Sequence, residues 1–178
     1  MKQFILFLTL SRLLFAPIIF IGLIVFNNFF LTFVLFLIVS ITDYFDGWLA
    51  RKYKLTSDFG AILDPIADKI LVVFILIGLT IILDSFLIGV LSSFIISREI
   101  LVAALRDYAS RQGYSHKIKV TFLAKIKTSI QLFSIGLYLF ALAISFNLLF
   151  VIGDLFLIIA TLITLYTGYD YYLSIYKK

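Results

Sequence analysis

Six long apolar segments separated by short polar breaks constrain this chain more than any other feature of its sequence. A helix needs ~20 mostly apolar residues to cross a bilayer, and each segment reaches that length. We therefore expect an all-α integral membrane protein with six transmembrane helices, forming a single transmembrane domain over residues 1–178. The expected spans are roughly 4–26, 29–50, 61–83, 85–106, 122–146 and 149–172.

Composition excludes several classes of protein. Hydrophobic residues make up 63% of the chain and charged residues 14%, so one soluble core could not bury its apolar surface. With no cysteine and one histidine, thiolate and multi-histidine metal sites are excluded. The net charge of +5 would indicate nucleic acid in a soluble protein, but in so apolar a chain it indicates loops facing an anionic membrane surface. We expect the lipid bilayer, and no nucleic acid, as a partner.

The positions of the basic residues predict the topology. The connections near residues 27, 84 and 150 carry no lysine or arginine, whereas the loops around 51–60 and 107–121 are basic. Because lysine and arginine favour the cytoplasmic side, both termini and both basic loops are predicted to be cytoplasmic. Two cytoplasmic termini require an even number of spans, which agrees with six.

Four aspartates stand near the junction of the second and third spans. Asp43 and Asp46 share one face of the second predicted helix, and Asp64 and Asp68 share one face of the third. The connection between these helices is short, so we expect antiparallel neighbours whose four carboxylates converge at the cytoplasmic edge. Capping of a helix start by Asp64, with Pro65 just inside the helix, would explain only one of the four.

This concentration of negative charge implies either that most of the aspartates are protonated or that a cation is bound among them. Carboxylates inside a membrane are costly unless they are protonated or paired. Oxygen ligands without histidine or cysteine favour a hard cation, hence Mg²⁺, Mn²⁺ or Ca²⁺. Gly47, Ala50 and Gly60 lack bulk on the same faces, so a ligand or another backbone could approach closely.

The residues from 43 to 68 follow the pattern Asp-x2-Asp-Gly-x2-Ala-Arg-x8-Gly-x3-Asp-x3-Asp. This pattern resembles the signature of the CDP-alcohol phosphatidyltransferases, a family of six-helix membrane enzymes with cytoplasmic termini. Every fixed position is present: Asp43, Asp46, Gly47, Ala50, Arg51, Gly60, Asp64 and Asp68.

The resemblance extends to the bacterial members that make phosphatidylglycerophosphate. It rests on Ser97–Ile100, Ala104–Arg106, Lys125–Thr128 and Thr9–Arg12. One departure is Leu6, which stands where those members carry an asparagine. The resemblance implies a phosphotransferase that moves the phosphatidyl group of CDP-diacylglycerol to the sn-1 hydroxyl of glycerol 3-phosphate and releases CMP. It also implies a homodimer in the bacterial cytoplasmic membrane, multi-pass, with the active site facing the cytoplasm.

The same resemblance implies roles for the signature residues. Two Mg²⁺ or Mn²⁺ ions would stabilise charge on the attacking and leaving oxygens. The implied metal ligands are Asp43, Asp46, Asp64 and Asp68, with Asp68 also the base that takes the hydroxyl proton. The implied CDP-diacylglycerol contacts are Asp43, Gly47, Ala50, Arg51 and Gly60.

A second set of charges could hold the phosphate of the acceptor. Arg98 and Arg106 lie two turns apart on the fourth span, and Lys127 begins a polar stripe on the fifth that continues through Gln131 and Ser134. Guanidinium forks and an ammonium group suit a dianionic phosphate. Two alternatives stay open: Arg106 and Lys127 snorkel to the interface, or Arg98 forms a structural ion pair with Glu99.

Other functions also stay open. The same chemistry could serve inositol phosphate, serine or another polyol phosphate. A divalent-cation transporter is a more distant alternative, because no charged residue between Lys127 and Asp154 continues a path across the membrane. The tyrosines near the C-terminus are expected to form an interfacial belt: Tyr166, Tyr169, Tyr171, Tyr172 and Tyr176.

Overall fold

The computed structural model describes residues 2–53, 58–112 and 122–176, and in these ranges the chain forms helices joined by turns, without a strand. Side chains of the aspartate-bearing parts of the second and third helices are outside the described set. The predicted all-α class is therefore confirmed for the described residues. The helices are α1 (Lys2–Ile24), α2 (Phe29–Tyr53), α3 (Asp58–Ile82), α4 (Phe86–Arg111), α5 (Phe122–Ile144) and α6 (Asn147–Tyr176).

Three tight turns pair the helices in sequence order. Asn27, Asp84 and Ser145 have positive φ angles of 49°, 44° and 56°, and each lies between two helices. Asparagine and aspartate tolerate this left-handed conformation better than most residues, so two of the three turns suit their sequence. Such short turns make α1 and α2, α3 and α4, and α5 and α6 antiparallel neighbours.

The pairs assemble through contacts between helices distant in sequence. α1 packs on both α2 and α3, α4 packs on α6, and α5 packs on both α6 and α2. The α1–α3 contact is close, because a Cβ built on Gly78 would lie 2.7 Å from Leu23 Cδ2. In α3, Leu71, Ile75 and Leu79 repeat every fourth residue and are buried, which gives that helix one continuous face toward the core.

The outer surface is apolar. Large hydrophobic side chains such as Leu14, Phe30, Phe86 and Leu162 are exposed, which would be costly in water. Among the residues that the structure describes, three helices are long and apolar enough to cross a membrane, within Phe86–Arg111, Ile126–Ile144 and Asn147–Ser174. Shorter apolar stretches occur at Leu10–Ile24, Phe29–Thr42 and Lys69–Ile82. The protein is thus a helical membrane protein.

Two helix boundaries differ from the sequence-based expectation. α3 begins at Asp58, so Asp64 and Pro65 lie inside the helix and Asp64 is not its N-cap. α6 begins at Asn147, two residues before the expected start of the sixth span at residue 149, and runs through Gly153 and Asp154. Hydropathy identifies the membrane segment of a helix, whereas the helix itself continues into polar sequence as long as its backbone hydrogen bonds continue.

Candidate functional site

A polar cavity of about 170 Å³ lies where α3, α4, α5 and α6 meet. We call it the cationic cavity, because four of its lining side chains are basic and one is acidic. The sequence-predicted residues Arg98, Arg106 and Lys127 all line it. The lining residues that the structure describes are Lys69, Arg98, Glu99, Val102, Arg106, Lys127, Thr128 and Tyr171.

Glu99 is the acidic centre of the cationic cavity. Its carboxylate accepts a hydrogen bond from Arg98 Nη1 at 2.9 Å and another from Lys127 Nζ. Lys69 Nζ lies 3.8 Å from Glu99 Oε2 and donates to the Glu99 backbone carbonyl at 3.4 Å. The ion pair of Arg98 with Glu99, one of the alternatives left open by the sequence, is therefore present. Charged groups this poorly exposed must be paired, and one carboxylate provides that pairing for three cations.

Arg98 and Arg106 also contact α6. Arg98 Nη2 donates to Thr167 Oγ1 at 2.7 Å, and Arg106 Nη2 donates to Tyr171 Oη at 2.7 Å. The Tyr171 ring centroid lies 5.0 Å from Arg106 Cζ and 5.8 Å from Arg98 Cζ, within the range of cation–π attraction. Snorkelling does not describe Lys127, which is 5% exposed, and Arg106 reaches toward a buried tyrosine rather than only outward.

The cavity carries more positive charge than its own acid balances. Among the lining side chains that the structure describes, four cations face one carboxylate, an excess of three positive charges. Arg98, at 6% exposure, is too buried for water to screen it fully, and its Nε has no hydrogen-bond partner. A site with this excess suits a small dianion such as a phosphate monoester, which would accept several charge-assisted hydrogen bonds.

A second cavity, of about 180 Å³, adjoins the first and shares Lys69, Glu99 and Thr128 with it. Its remaining wall is mostly apolar, and Gln131 of the predicted polar stripe is its other polar lining residue. Ser134, the last member of that stripe, faces neither cavity, because its hydroxyl donates to the Gly153 carbonyl at 2.9 Å. The stripe therefore has one end at the cationic cavity and the other in the α5–α6 packing.

The aspartates of the signature occupy helical positions in α2 and α3. Asp43 and Asp46 fall in α2, and Asp64 and Asp68 in α3. Their side chains lie outside the described residues, as do those of Gly47, Ala50, Arg51 and Gly60. Asp68 directly precedes Lys69, so their Cα atoms are ~3.8 Å apart and the aspartate end of α3 adjoins the cationic cavity.

The donor set of these positions fits a hard divalent cation. All four candidate ligands are carboxylates on two helices, and Mg²⁺ and Mn²⁺ prefer oxygen ligands. Among side chains that the structure describes, no group of three or more histidine, cysteine, aspartate or glutamate residues forms an alternative metal site.

Sequence reasoning missed four contributors to the cationic cavity or its edge. The sequence analysis gave Lys69 no role in the site, and it assigned Tyr171 to the interfacial belt. Tyr166, Tyr169 and Tyr172 are exposed as a belt requires, but Tyr171 is 4% exposed and faces the arginines. Thr167 and Gly168 gave no warning except their polarity and small size within an apolar helix. A second signal was the i, i+4 spacing of Thr167 and Tyr171.

Comparison with known families identifies the group to which these features belong. A sequence profile described as CDP-alcohol phosphatidyltransferase matches residues 6–166. The chain belongs to this family. The match covers the whole aspartate signature together with Arg98, Arg106 and Lys127, so the family resemblance noted from the sequence is confirmed.

Three curated relatives are each named CDP-diacylglycerol–glycerol-3-phosphate 3-phosphatidyltransferase. The protein from Wigglesworthia glossinidia brevipalpis is 42% identical over 72% of this chain and 71% of its own length. That from Rickettsia felis is 36% identical over 93% of this chain and 91% of its own length. The protein from Haemophilus influenzae is 39% identical over 73% of this chain and 71% of its own length.

Proposed function

We propose that this membrane phosphotransferase moves the phosphatidyl group of CDP-diacylglycerol to the sn-1 hydroxyl of glycerol 3-phosphate. The products are phosphatidylglycerophosphate and CMP. The relatives named for this reaction support the choice of both substrates. They favour glycerol 3-phosphate over inositol phosphate, serine and other polyol phosphates.

The observation that carries this proposal is the cationic cavity. Glycerol 3-phosphate brings a phosphate dianion, and the cavity offers an excess of three positive charges. Arg98, Arg106 and Lys127 bind that phosphate, the two arginines through their planar forks and the lysine as a point charge. Serine has no phosphate and would leave this charge excess unbalanced, so the cavity argues against serine as the acceptor.

The donor lies along α2 and the start of α3. Asp43, Asp46, Asp64 and Asp68 hold two divalent cations, Mg²⁺ or Mn²⁺, which when bound neutralise charge on the donor diphosphate. Asp43, Gly47, Ala50 and Gly60 let the nucleotide and diphosphate lie close to the helices, and Arg51 pairs with a phosphate. The carboxylate donor set and the family match support this assignment.

Asp68 and the cationic cavity together orient the acceptor. With its phosphate held by the cavity, the sn-1 hydroxyl points toward the aspartate end of α3, which Lys69 joins to the cavity wall. Asp68 accepts the hydroxyl proton as the oxygen forms its bond to the β-phosphorus. The bond from that phosphorus to the oxygen of CMP breaks, and CMP leaves with the bonding electron pair. Holding both reactants in line supplies much of the rate enhancement in such a transfer.

The proposed setting is the bacterial cytoplasmic membrane. All six helices cross the bilayer, both termini and the active site face the cytoplasm, and the protein is a homodimer. The distribution of lysine and arginine supports this orientation, because the three tight turns carry none. A cytoplasmic site also suits a lipid donor with a nucleotide headgroup and a water-soluble polyol phosphate as acceptor.

The test is a comparison of acceptors with purified protein. Radiolabelled glycerol 3-phosphate, inositol phosphate and serine are each offered with CDP-diacylglycerol and Mg²⁺, and label entering lipid is measured. We expect label from glycerol 3-phosphate alone, loss of activity with EDTA, and recovery with Mg²⁺ or Mn²⁺.

Asp46→Asn should be inactive. Asp84→Asn, in the exposed α3–α4 turn, is the matched control and should retain activity. Label from another acceptor, or full activity of Asp46→Asn, would overturn the proposal.

A further inference from the structure

The C-terminal part of α6 contacts both arginines of the cationic cavity, although it lies beyond the family match. That match ends at residue 166, and the contacts are made by Thr167, Gly168 and Tyr171. Thr167 and Tyr171 are four residues apart, so they lie on one face of α6 in successive turns. Gly168 directly follows Thr167. The two arginines that they contact are eight residues apart on α4, so both helices present matching faces.

We propose that Thr167, Gly168 and Tyr171 are positioning residues that hold the Arg98 and Arg106 guanidinium groups ready for the acceptor phosphate. This inference rests on the proposed function, because it takes the cationic cavity as the acceptor site. The ligand class it concerns is a phosphate monoester. The three residues act through the arginines and are not proposed to touch the reacting atoms.

Tyr171 sets the position of Arg106. Its hydroxyl accepts from Arg106 Nη2 at 2.7 Å, and its ring lies beneath the same guanidinium at 5.0 Å. A hydrogen bond at the tip and a ring beneath the plane together restrict both the direction and the tilt of the fork. An arginine side chain otherwise samples many rotamers, and a phosphate that binds it must stop that motion. Ordering it in advance lowers the entropic cost of binding.

Thr167 and Gly168 set the position of Arg98 in the same way. Thr167 Oγ1 accepts from Arg98 Nη2 at 2.7 Å and donates its own proton to the Ile163 carbonyl at 2.8 Å, which fixes its lone pairs toward the arginine. Gly168 leaves the space through which the Arg98 stem passes. A Cβ built there would lie 2.9 Å from Arg98 Cγ and 3.2 Å from Nε, so an alanine would displace the side chain.

Arg98 and Arg106 donate three hydrogen bonds to protein groups, which leaves their other N–H groups available to a ligand. A guanidinium has five N–H groups, and Arg98 donates one to Glu99 and one to Thr167. Arg106 donates one hydrogen bond to Tyr171. The remaining donors point from a fixed plane, and this is the geometry in which bidentate recognition of phosphate is strongest.

The first test measures Tyr171→Phe, which keeps the ring and removes the hydroxyl. We expect the KM for glycerol 3-phosphate to rise roughly 2- to 12-fold, the cost of ordering one long side chain, with kcat and the KM for CDP-diacylglycerol unchanged. Tyr169→Phe, an exposed tyrosine on the same helix, is the matched control and should be silent. In an Arg106→Gln background Tyr171→Phe should add nothing, since the residue it acts through is gone.

Gly168→Ala and Thr167→Val test Arg98 in the same assay. Both should raise the KM for glycerol 3-phosphate without changing that for CDP-diacylglycerol. Gly136→Ala is a matched control, because its Cβ would make only an ordinary contact of 3.5 Å with Phe36. Thr161→Val is the other, because its hydroxyl is also buried and donates to a carbonyl one turn back, at Leu157. If Gly168→Ala and Thr167→Val disturbed only the packing, they would lower thermal stability without separating the two KM values, and the role assigned to these residues would be wrong.

Binding of inorganic phosphate, followed by calorimetry in detergent, separates this inference from the proposed function. If glycerol 3-phosphate is transferred but Tyr171→Phe leaves its KM unchanged, the positioning role is wrong and the function stands. If glycerol 3-phosphate is not transferred but Tyr171→Phe weakens phosphate binding by a similar factor, the positioning role stands and the proposed acceptor is wrong. An additive effect of Tyr171→Phe in the Arg106→Gln background would also overturn the inference.

Discussion

Two polar clusters lie among the helices of this protein, and they differ in how their charges are balanced. In the described lining of the cationic cavity, four basic side chains face one carboxylate, that of Glu99, and three of the four contact it. Farther along α5 and α6, the Tyr138 hydroxyl donates to Asp154 Oδ1 at 2.6 Å and the Ser134 hydroxyl donates to the Gly153 carbonyl. The second cluster pairs each donor with one acceptor, whereas the first keeps unbalanced charge beside empty volume.

The difference separates a packing device from a binding site. Tyr138 is fully buried, and its ring lies against Gly153, where a Cβ would approach within 3.1 Å. That contact and the hydrogen bond to Asp154 hold α5 against α6. The cationic cavity gains nothing for stability from its excess charge, because like charges at low dielectric repel. Under the proposed function, a ligand of opposite charge balances this excess.

The largest effect that could break this comparison is the removal of Glu99. Glu99→Gln would leave Arg98 and Lys127 without their shared counter-charge. We expect the free energy of unfolding to fall by about 3 kcal/mol, the low end for breaking a buried ion pair, because Glu99 keeps 20% exposure. Thermal unfolding in detergent measures this loss. Unchanged stability would show that the ion pairs do not hold the cavity together.

The next effect concerns the shape of Arg98 rather than its charge. Arg98→Lys keeps the charge but loses the fork that reaches both Glu99 and Thr167. We expect the KM for glycerol 3-phosphate to rise about 10-fold or more, as for loss of a charge-assisted hydrogen bond. Steady-state kinetics checks this, with Arg111→Lys on the exposed end of α4 as control. A variant that loses stability while keeping its KM would assign Arg98 to a purely structural ion pair.

The smallest effect belongs to the packing cluster. Tyr138→Phe removes one hydrogen bond to Asp154, which is only half-buried and can take a water instead. We expect a loss of about 0.5–1.5 kcal/mol in unfolding free energy. Both KM values should stay at the wild-type level. A rise in either one would connect this cluster to the site and remove the contrast between the two regions.

The sequence predicted much of this arrangement, and its failures have physical causes. Hydropathy located all six helices, but it placed the start of α3 at residue 61, whereas the helix begins at Asp58. Helical spacing placed Arg98 and Arg106 on one face of α4. It could not say that α6 covers this face, because spacing gives the direction of a side chain and not the identity of the neighbouring helix.

Tyr171 illustrates this limit most clearly. In the sequence it stands among Tyr169 and Tyr172, which are exposed. Successive residues of a helix point about 100° apart, and this rotation directs Tyr171 toward the arginines instead. Lys69 was similarly hidden, since its role depends on Glu99, a residue 30 positions away. The roles of Asp43, Asp46, Asp64 and Asp68 rest on the sequence signature and remain predictions.

The most direct test of the account compares two arginines near the end of α4. Arg106 lines the cationic cavity, whereas Arg111 is 77% exposed and pairs with Asp107. Arg106→Gln should raise the KM for glycerol 3-phosphate by ~10- to 150-fold, with the KM for CDP-diacylglycerol unchanged. Arg111→Gln should alter neither value. Equal rises in both KM values for Arg106→Gln, or no rise in either, would contradict the assignment of the cationic cavity to the acceptor phosphate.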